Sequence, residues 1–304
     1  MTGAQPAPDP GVVTERYGNV SVLIGPQRST YPYANTLLVP GRDATVVIDP
    51  SLTVAGRAPA ADLALVSHGH EDHIAGLADY DGPVRVHAAD LDAVRSPAAL
   101  VACFGFAPED AAEMERALRT DFRVEDRNDV TALSDGEVLD LGGRTVTAVH
   151  LPGHTAGHCG FLIEPAGLLF VADIDLTSFG PLYGDIASSL SEFEASMRRC
   201  ADIEARWYAT SHQKGVIEGR AEFRSRVDAF AGVIEQREER LLAFLAQPRT
   251  MAEIVDHRFV YRPHVPGAHV PLIERRTAAQ HLRRLQDDGR VVRLADGSYH
   301  RAPA

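Results

Sequence analysis

With 304 residues, 45% apolar and 24% charged, the chain has the make-up of an ordinary globular protein, long enough for a large α/β domain and a small second one. Its net charge of −12 argues against a general nucleic-acid or membrane-surface binder, and no stretch approaches the ~18 apolar residues of a membrane span. Cys103, Cys159 and Cys200 stand too far apart for a Cys-x-x-Cys pair or a disulfide framework, which fits a reducing cytoplasm.

The first ten residues are rich in Pro and Ala and show no basic stretch followed by an apolar core. Residues 1–14 are therefore expected to form a disordered leader rather than a secretory signal. Three apolar runs follow, at 20–24, 36–39 and 45–48. Gly25-Pro26, Pro40-Gly41 and Pro50 punctuate them as hairpin-connected strands. A fourth strand, 63–66, delivers Ser67-His68-Gly69-His70-Glu71-Asp72-His73. On an extended segment His68 and His70 point the same way, because side chains alternate along a strand. A turn into a short helix at 74–80 then lets Asp72 and His73 aim at a second point a few ångströms away. The spacing predicts two metal ions rather than one.

Another strand is expected at 84–87. Residues 96–119 are rich in Ala, Glu and Leu, with Pro108-Glu109-Asp110 as a helix start, and read as a helical insertion at the rim. Phe104 and Phe106 read as packing, with the wall of an apolar pocket as the functional alternative. Further strands are expected at 138–141, 145–151, 160–164 and 168–172, then a helix at 189–204 and a strand at 207–210. Three of these strands lead into polar residues: His154 after Leu151-Pro152-Gly153, Asp173 after Ala172, and His212 after Ser211. Functional loops gather at such strand ends. Five His and two Asp make seven ligands, enough for two ions that share one carboxylate. Zinc takes imidazole nitrogen and carboxylate oxygen readily and keeps an open position for water in catalytic sites. Iron or manganese suit the same donors. Gly-x-Ser-x-Gly, a P-loop and a dinucleotide fingerprint are all missing.

Composition shifts at 218–246, which reads as one or two long helices. Residues 248–300 read as a small domain: a helix at 251–257, a loop rich in Pro and His at 262–271, a helix at 277–287, and two short strands around Ala295-Asp296-Gly297. That order is a winged-helix pattern. From residue 248 onward there are ten Arg against six Asp or Glu. Arg275, Arg276, Arg283, Arg284, Arg290 and Arg293 could meet nucleic-acid phosphates; a solvated face is the plainer reading. His264 and His269 read as scattered loop residues, and His87, His257, His281 and His300 have no partner at ligand spacing.

His68-Gly69-His70-Glu71-Asp72-His73 resembles the His-x-His-x-Asp-His signature of the metallo-β-lactamase-fold hydrolases. Pro152-Gly153-His154-Thr155-Ala156-Gly157-His158, Ala172-Asp173 and Ser211-His212 are similar to the later motifs of that family, in the same order. The resemblance implies an α/β fold: an αββα sandwich as catalytic domain over 15–230, with metals at one edge of the paired sheets, then a helical linker and winged-helix-like domain over 231–304. Within the family the chain looks most like the glyoxalase-II-like and lactamase-beta-2-like branch. Carried over, the motifs assign His68, His70 and His154 to the first ion and Asp72, His73 and His212 to the second. Asp173 is the implied bridge, with Asp175 the weaker alternative. Ala172 stands where family members usually have Gly. His158 matches a position normally outside the ligand set, and is expected to orient ligands from behind. Tyr183, in the loop 174–185, reads either as a hydrogen-bond donor to the reacting oxygen or as part of a packed turn.

Two divalent ions about 3.5–4 Å apart can hold a water between them and lower its pKa toward ~7. The implied reaction is attack by that bridging hydroxide, oriented by Asp72. The expected activity is hydrolysis of a small-molecule ester, thioester or lactone by a cytoplasmic enzyme. The alternative is a metal-dependent phosphodiesterase or endoribonuclease acting on single-stranded RNA. Glyoxalase II itself is disfavoured for want of a basic glutathione-binding cluster. In this family such a tail also serves as a lid or a homodimer contact.

Overall fold

The structure, a computed structural model, describes residues 11–57 and 59–303. Residues 1–10 of the expected leader lie outside these. Residues 13 and 14, which that reading also included, already belong to a strand.

Strands β1 (Val13–Tyr17), β2 (Val20–Ile24), β3 (Thr36–Pro40), β4 (Thr45–Ile48), β5 (Leu63–Val66), β6 (Val84–His87) and β7 (Val130–Leu133) form one sheet in sequence order. The first four pair antiparallel and the last four parallel. A second sheet takes β8 (Val138–Asp140), β9 (Thr145–His150), β10 (Cys159–Glu164), β11 (Leu168–Phe170), β12 (Trp207–Ala209) and β13 (Val216–Glu218) in reverse order, with only β11 and β12 parallel. The strands β1, β7 and β13 are additions to the sequence reading.

The two sheets stack face to face. Val20, Val22, Leu37, Leu65, Phe161 and Phe170 lie between them. The period of two explains the layers: Leu65 of β5 faces the other sheet while Ala64 and Val66 face outward, and in β11 Leu168 and Phe170 face the other sheet while Leu169 faces outward. Each outward face is covered by helices, giving an αββα sandwich. Short turns α1 (Pro26–Ser29) and α2 (Glu71–Ile74) lie at the strand ends; α2 continues as a 3₁₀ turn over Ala75–Asp79. Helices α3 (Leu91–Arg95), α4 (Pro97–Phe104) and α5 (Pro108–Thr120) contribute to the core outside the first sheet. The expected single insertion splits because Gly105, at φ +62°, closes α4 and Pro108 opens α5. Outside the second sheet lie α6 (Leu190–Asp202) and α7 (Arg220–Phe244).

The 25-residue α7 is continuous, so the expected boundary at 230 falls inside it. Its first half, with Phe223, Val227 and Phe230, packs on the second sheet. Its end, with Leu241 and Leu242, shares a core with α8 (Met251–His257), α9 (His269–Asp287) and the hairpin β14 (Val291–Arg293) with β15 (Tyr299–Arg301). The expected order of helix, helix and hairpin is present. α9 begins eight residues earlier than expected, at His269. Pro271 fits in its first turn, where the missing N–H has no partner to lose. No helix among the described residues is long and apolar enough to cross a membrane.

Candidate metal centre

Parallel pairing of β4 and β5 puts their C-terminal ends side by side, so Asp49 and Ser67 are neighbours: Asp49 accepts from Ser67 N and from Ser67 Oγ, both at 2.6 Å. Across the sandwich, β9, β11 and β12 run the same way and end at the same edge, leading to His154, Asp173 and His212. Cys159 N donates to Ser67 O at 2.8 Å and Asn35 N to Ser211 O at 2.8 Å, which ties the two sheets together there. All seven expected ligand residues converge on this edge.

They fall into two groups. His68 Nε2 lies 3.1 Å from His70 Nδ1, and His154 Nε2 lies 3.0 Å from the same atom. Asp72, His73 and His212 form the second group, with His212 Nε2 3.3 Å from Asp72 Oδ2 and His73 Nε2 3.7 Å from Asp72 Oδ1. Asp173 stands between. Its Oδ2 is 3.3 Å from His154 Nε2 and 3.9 Å from His68 Nε2; its Oδ1 is 3.1 Å from His73 Nε2 and 3.6 Å from His212 Nε2.

The far nitrogen of every ring is spoken for. His154 Nδ1 donates to Leu182 O (2.8 Å), His70 Nε2 to Asp185 (2.9 Å), His73 Nδ1 to Asp49 (2.8 Å), and His212 Nδ1 to Ser29 O and Tyr33 O (2.9 Å each). Ser67 Oγ spends its proton on Asp49, so it accepts from His68 Nδ1 at 3.0 Å. In its neutral form each ring therefore turns a lone pair inward. Lone pairs packed around carboxylate oxygens repel unless a cation lies among them. In agreement, the buried His73 Nε2 and Asp173 Oδ1 have no hydrogen-bond partner. The donor set, imidazole nitrogen and carboxylate oxygen, fits zinc and its first-row neighbours.

A family model for the metallo-beta-lactamase superfamily matches residues 30–212. The chain belongs to the metallo-beta-lactamase superfamily. It is 29% identical over 170 residues to acyl-coenzyme A thioesterase MBLAC2 of Homo sapiens, covering 46% of this chain and 58% of that protein. It is 32% identical over 163 residues to hydroxyacylglutathione hydrolase of Acidiphilium cryptum (strain JF-5), covering 53% of each. The chain thus spans little more than half the length of these curated relatives. A beta-lactamase domain protein from Burkholderia ambifaria shares the fold with a TM-score of 0.72 at 20% identity, covering 98% of this chain and 97% of that one. A metallo-beta-lactamase family protein from Thermus thermophilus has a TM-score of 0.67 at 23% identity, covering 96% and 99%.

Family members usually carry Gly before the implied bridging Asp, and the backbone shows why. Ala172 sits at φ +47°, a left-handed conformation that costs an L-residue roughly 1–3 kcal/mol. His158 lies behind the centre: it donates from Nδ1 to Leu151 O at 2.9 Å and accepts from Asp173 N at 3.1 Å, so it holds the backbone of Asp173. Burial, helped by His154, pushes His158 down to about 3, which suits a neutral acceptor. Asp175 stands beside Asp173 and His212. Burial and the charge of Asp173 raise its carboxyl to about 8. For His212, burial lowers the pKa, but Asp175, Asp173 and Asp72 outweigh it and lift the ring to about 10.

Tyr183 corrects one of the two sequence readings. Its side chain is fully buried, and the hydroxyl meets His281 Nε2 at 2.8 Å and Arg237 at 3.3 Å. It packs into the interior and does not reach toward a reacting oxygen. Three acids that sequence reading did not single out support the site. Asp49 holds His73, Asp185 holds His70, and the buried Asp90 ties the loop at Gly69 (3.0 Å) to Thr155 (2.6 Å) and Gly157 (2.7 Å). Phe104 stacks on His70 with centroids 5.7 Å apart, placing α4 at the mouth.

Proposed function

We propose that this chain is a dinuclear metal-dependent hydrolase, with zinc as the metal, that cleaves an ester, thioester or lactone of a small molecule. One observation carries the reading: five imidazoles each have the far nitrogen occupied, and four of them, those of His68, His73, His154 and His212, face one carboxylate whose two oxygens meet different groups. Divalent ions held there would supply a water of lowered pKa and polarise the carbonyl under attack. His68, His70 and His154 would hold one ion and Asp72, His73 and His212 the other, with Asp173 shared. Asp72 is placed to orient the attacking water. Tyr31 donates to Glu71 Oε1 at 2.9 Å, which engages Glu71 away from that task.

Among carbonyl substrates, apolar acyl thioesters are the best supported. The relative MBLAC2 bears a thioesterase name. Aromatic side chains stand at this edge: Phe104 stacks on His70, and Tyr31, which holds Glu71, meets Phe122. Such walls suit an acyl chain. Two of the arginines expected to form a basic strip face inward instead: Arg276 binds Gly184 O, and Arg284 binds Glu194 and Glu238. That favours a small molecule over RNA. The free cysteines support a cytoplasmic setting.

The test is a panel of acyl thioesters, lactones and single-stranded RNA incubated with zinc-loaded protein. Thioester turnover that vanishes in His68→Ala is expected. RNA cleavage without ester turnover, itself lost in His68→Ala, would overturn the substrate class. Uptake of less than about one zinc per chain would overturn the metal reading.

A further inference from the structure

The segment 179–185 touches the first histidine group twice. Leu182 O takes the proton of His154 Nδ1, and the Asp185 carboxylate takes that of His70 Nε2. Two of the three rings thus owe their orientation to one strap of chain. That strap belongs to no helix or strand. What holds it comes from the C-terminal part of the molecule.

Arg237 of α7, 2% exposed, donates to Phe179 O at 2.8 Å and to Pro181 O. Glu238, its neighbour, accepts from His281 Nδ1 at 3.0 Å and from Arg284 Nε at 2.7 Å. Because the carboxylate takes the Nδ1 proton, His281 Nε2 is an acceptor, and the Tyr183 hydroxyl donates to it at 2.8 Å. Arg237 donates in turn to that hydroxyl at 3.3 Å. From α9, Gln280 donates to Tyr183 O (3.3 Å) and Arg276 to Gly184 O (2.8 Å). The strap also runs close against both helices. A Cβ on Gly180 would lie 2.4 Å from Val233 of α7, and one on Gly184 would lie 2.6 Å from Ile273 of α9. At Gly180 the φ of +82° adds a backbone reason for glycine.

We propose that Tyr183, Arg237, Glu238 and His281 are positioning residues for the His68–His70–His154 group, acting through the strap 179–185. The C-terminal helices are then a working part of the metal centre. Groups that orient ligands from behind typically change metal affinity by about 10- to 100-fold when removed. The proposal rests on the metal reading above, and its test separates the two.

Full-length protein is stripped with a chelator and titrated with zinc against a chromophoric competitor, and solvent exchange of backbone amides is followed by mass spectrometry. Tyr183→Phe keeps the ring and removes the hydroxyl. It is expected to weaken one zinc by about tenfold, leave the other within twofold, and speed exchange at 179–185 while the sheets stay protected. Cobalt substitution gives the same answer spectroscopically, as a changed visible band for the three-nitrogen site. Tyr208→Phe is the control: it removes another hydroxyl of the core, bonded to Ile203 O at 2.9 Å and to Ala205 N at 3.0 Å rather than to the strap or its anchors, and is expected to leave zinc affinity and strap exchange as they are. If Tyr183→Phe folds poorly, Arg276→Met removes a strap bond from outside the buried cluster and is expected to act in the same direction with a smaller loss. Unchanged zinc affinities in these variants, or equal losses in Tyr208→Phe, would overturn the proposal. A wild-type chain that takes up no zinc would sink the metal reading alone. The exchange measurement would then still decide whether the hydroxyl fixes the strap.

Discussion

Asp49 accepts the Nδ1 proton of His73 at 2.8 Å, and both side chains are wholly buried. The carboxylate also carries Ser67, so one acid sets the ring of His73 and, through the serine, the ring of His68. It stands behind both groups of the centre.

Asp49→Asn is the direct probe of that relationship. Asp49 sits at φ +49°, a region that Asn also tolerates, so the change tests the acceptor rather than the backbone. Zinc affinity is expected to fall by about 10- to 100-fold. A chelator titration indistinguishable from wild type would contradict the role.

Metal removal is expected to cost stability as well as activity. An ion present at about 100 times its Kd adds roughly 2.7 kcal/mol, so two add about 5 kcal/mol. At a few degrees per kcal/mol, zinc is expected to raise Tm by roughly 10 °C over chelated protein. Coincident melting curves would argue that these side chains hold no ion in the folded state.

Phe104 tests the substrate wall. Its loss in Phe104→Ala removes the ring stacked on His70 without removing a ligand. KM for a long-chain acyl thioester is expected to rise about tenfold, matching roughly 1.4 kcal/mol of lost apolar contact, while an acetyl thioester is turned over as before. An equal loss for both chain lengths would place the ring's effect on the metal rather than on the acyl group.

Glu238 gives a pH dependence with a definite sign. Burial raises its pKa, but His281 and Arg284 outweigh burial and hold the carboxyl below the usual glutamate range. A depressed folded pKa contributes stability above the unfolded value of about 4.3, and that stability is lost as pH falls through the lower folded value. In urea unfolding, wild type is therefore expected to exceed Glu238→Gln at pH 7, and the gap is expected to shrink by pH 3.5. A gap independent of pH would show that the charge is not what matters.

The ligands were legible in the sequence because local spacing encodes them. His68, His70, Asp72 and His73 share one strand end, and His154, Asp173 and His212 each follow a strand. Strands β2, β3 and β4 were legible because Gly25-Pro26, Pro40-Gly41 and Pro50 close their apolar runs. The carboxylate supports Asp49, Asp90 and Asp185 were not, because they act through contacts across the chain, whereas His158 was, through its place in the motif. His70 meets Asp185 from 115 positions away and His73 meets Asp49 from 24. Asp49 alone left a signal, since it closes β4 just as Ser67 closes β5. For Tyr183 two readings stayed open, a donor to the reacting oxygen and a packed turn, because a loop beside a metal edge does not say which way a side chain points. Only the arrival of α7 and α9 turns it inward. Strand β7, with Thr131 and Ala132 exposed, carries too short an apolar pattern to stand out.

The path of the strap has a consequence for how such chains are recognised. A fragment ending after α7 would contain every residue of the motif, from His68 to His212, and would lack His281, Gln280 and Arg276. It would pass any inspection for ligands and still leave Tyr183 and Gly184, which lie between Leu182 and Asp185, without their anchors on α9. In this chain, being complete as a motif and being complete as a site are different properties.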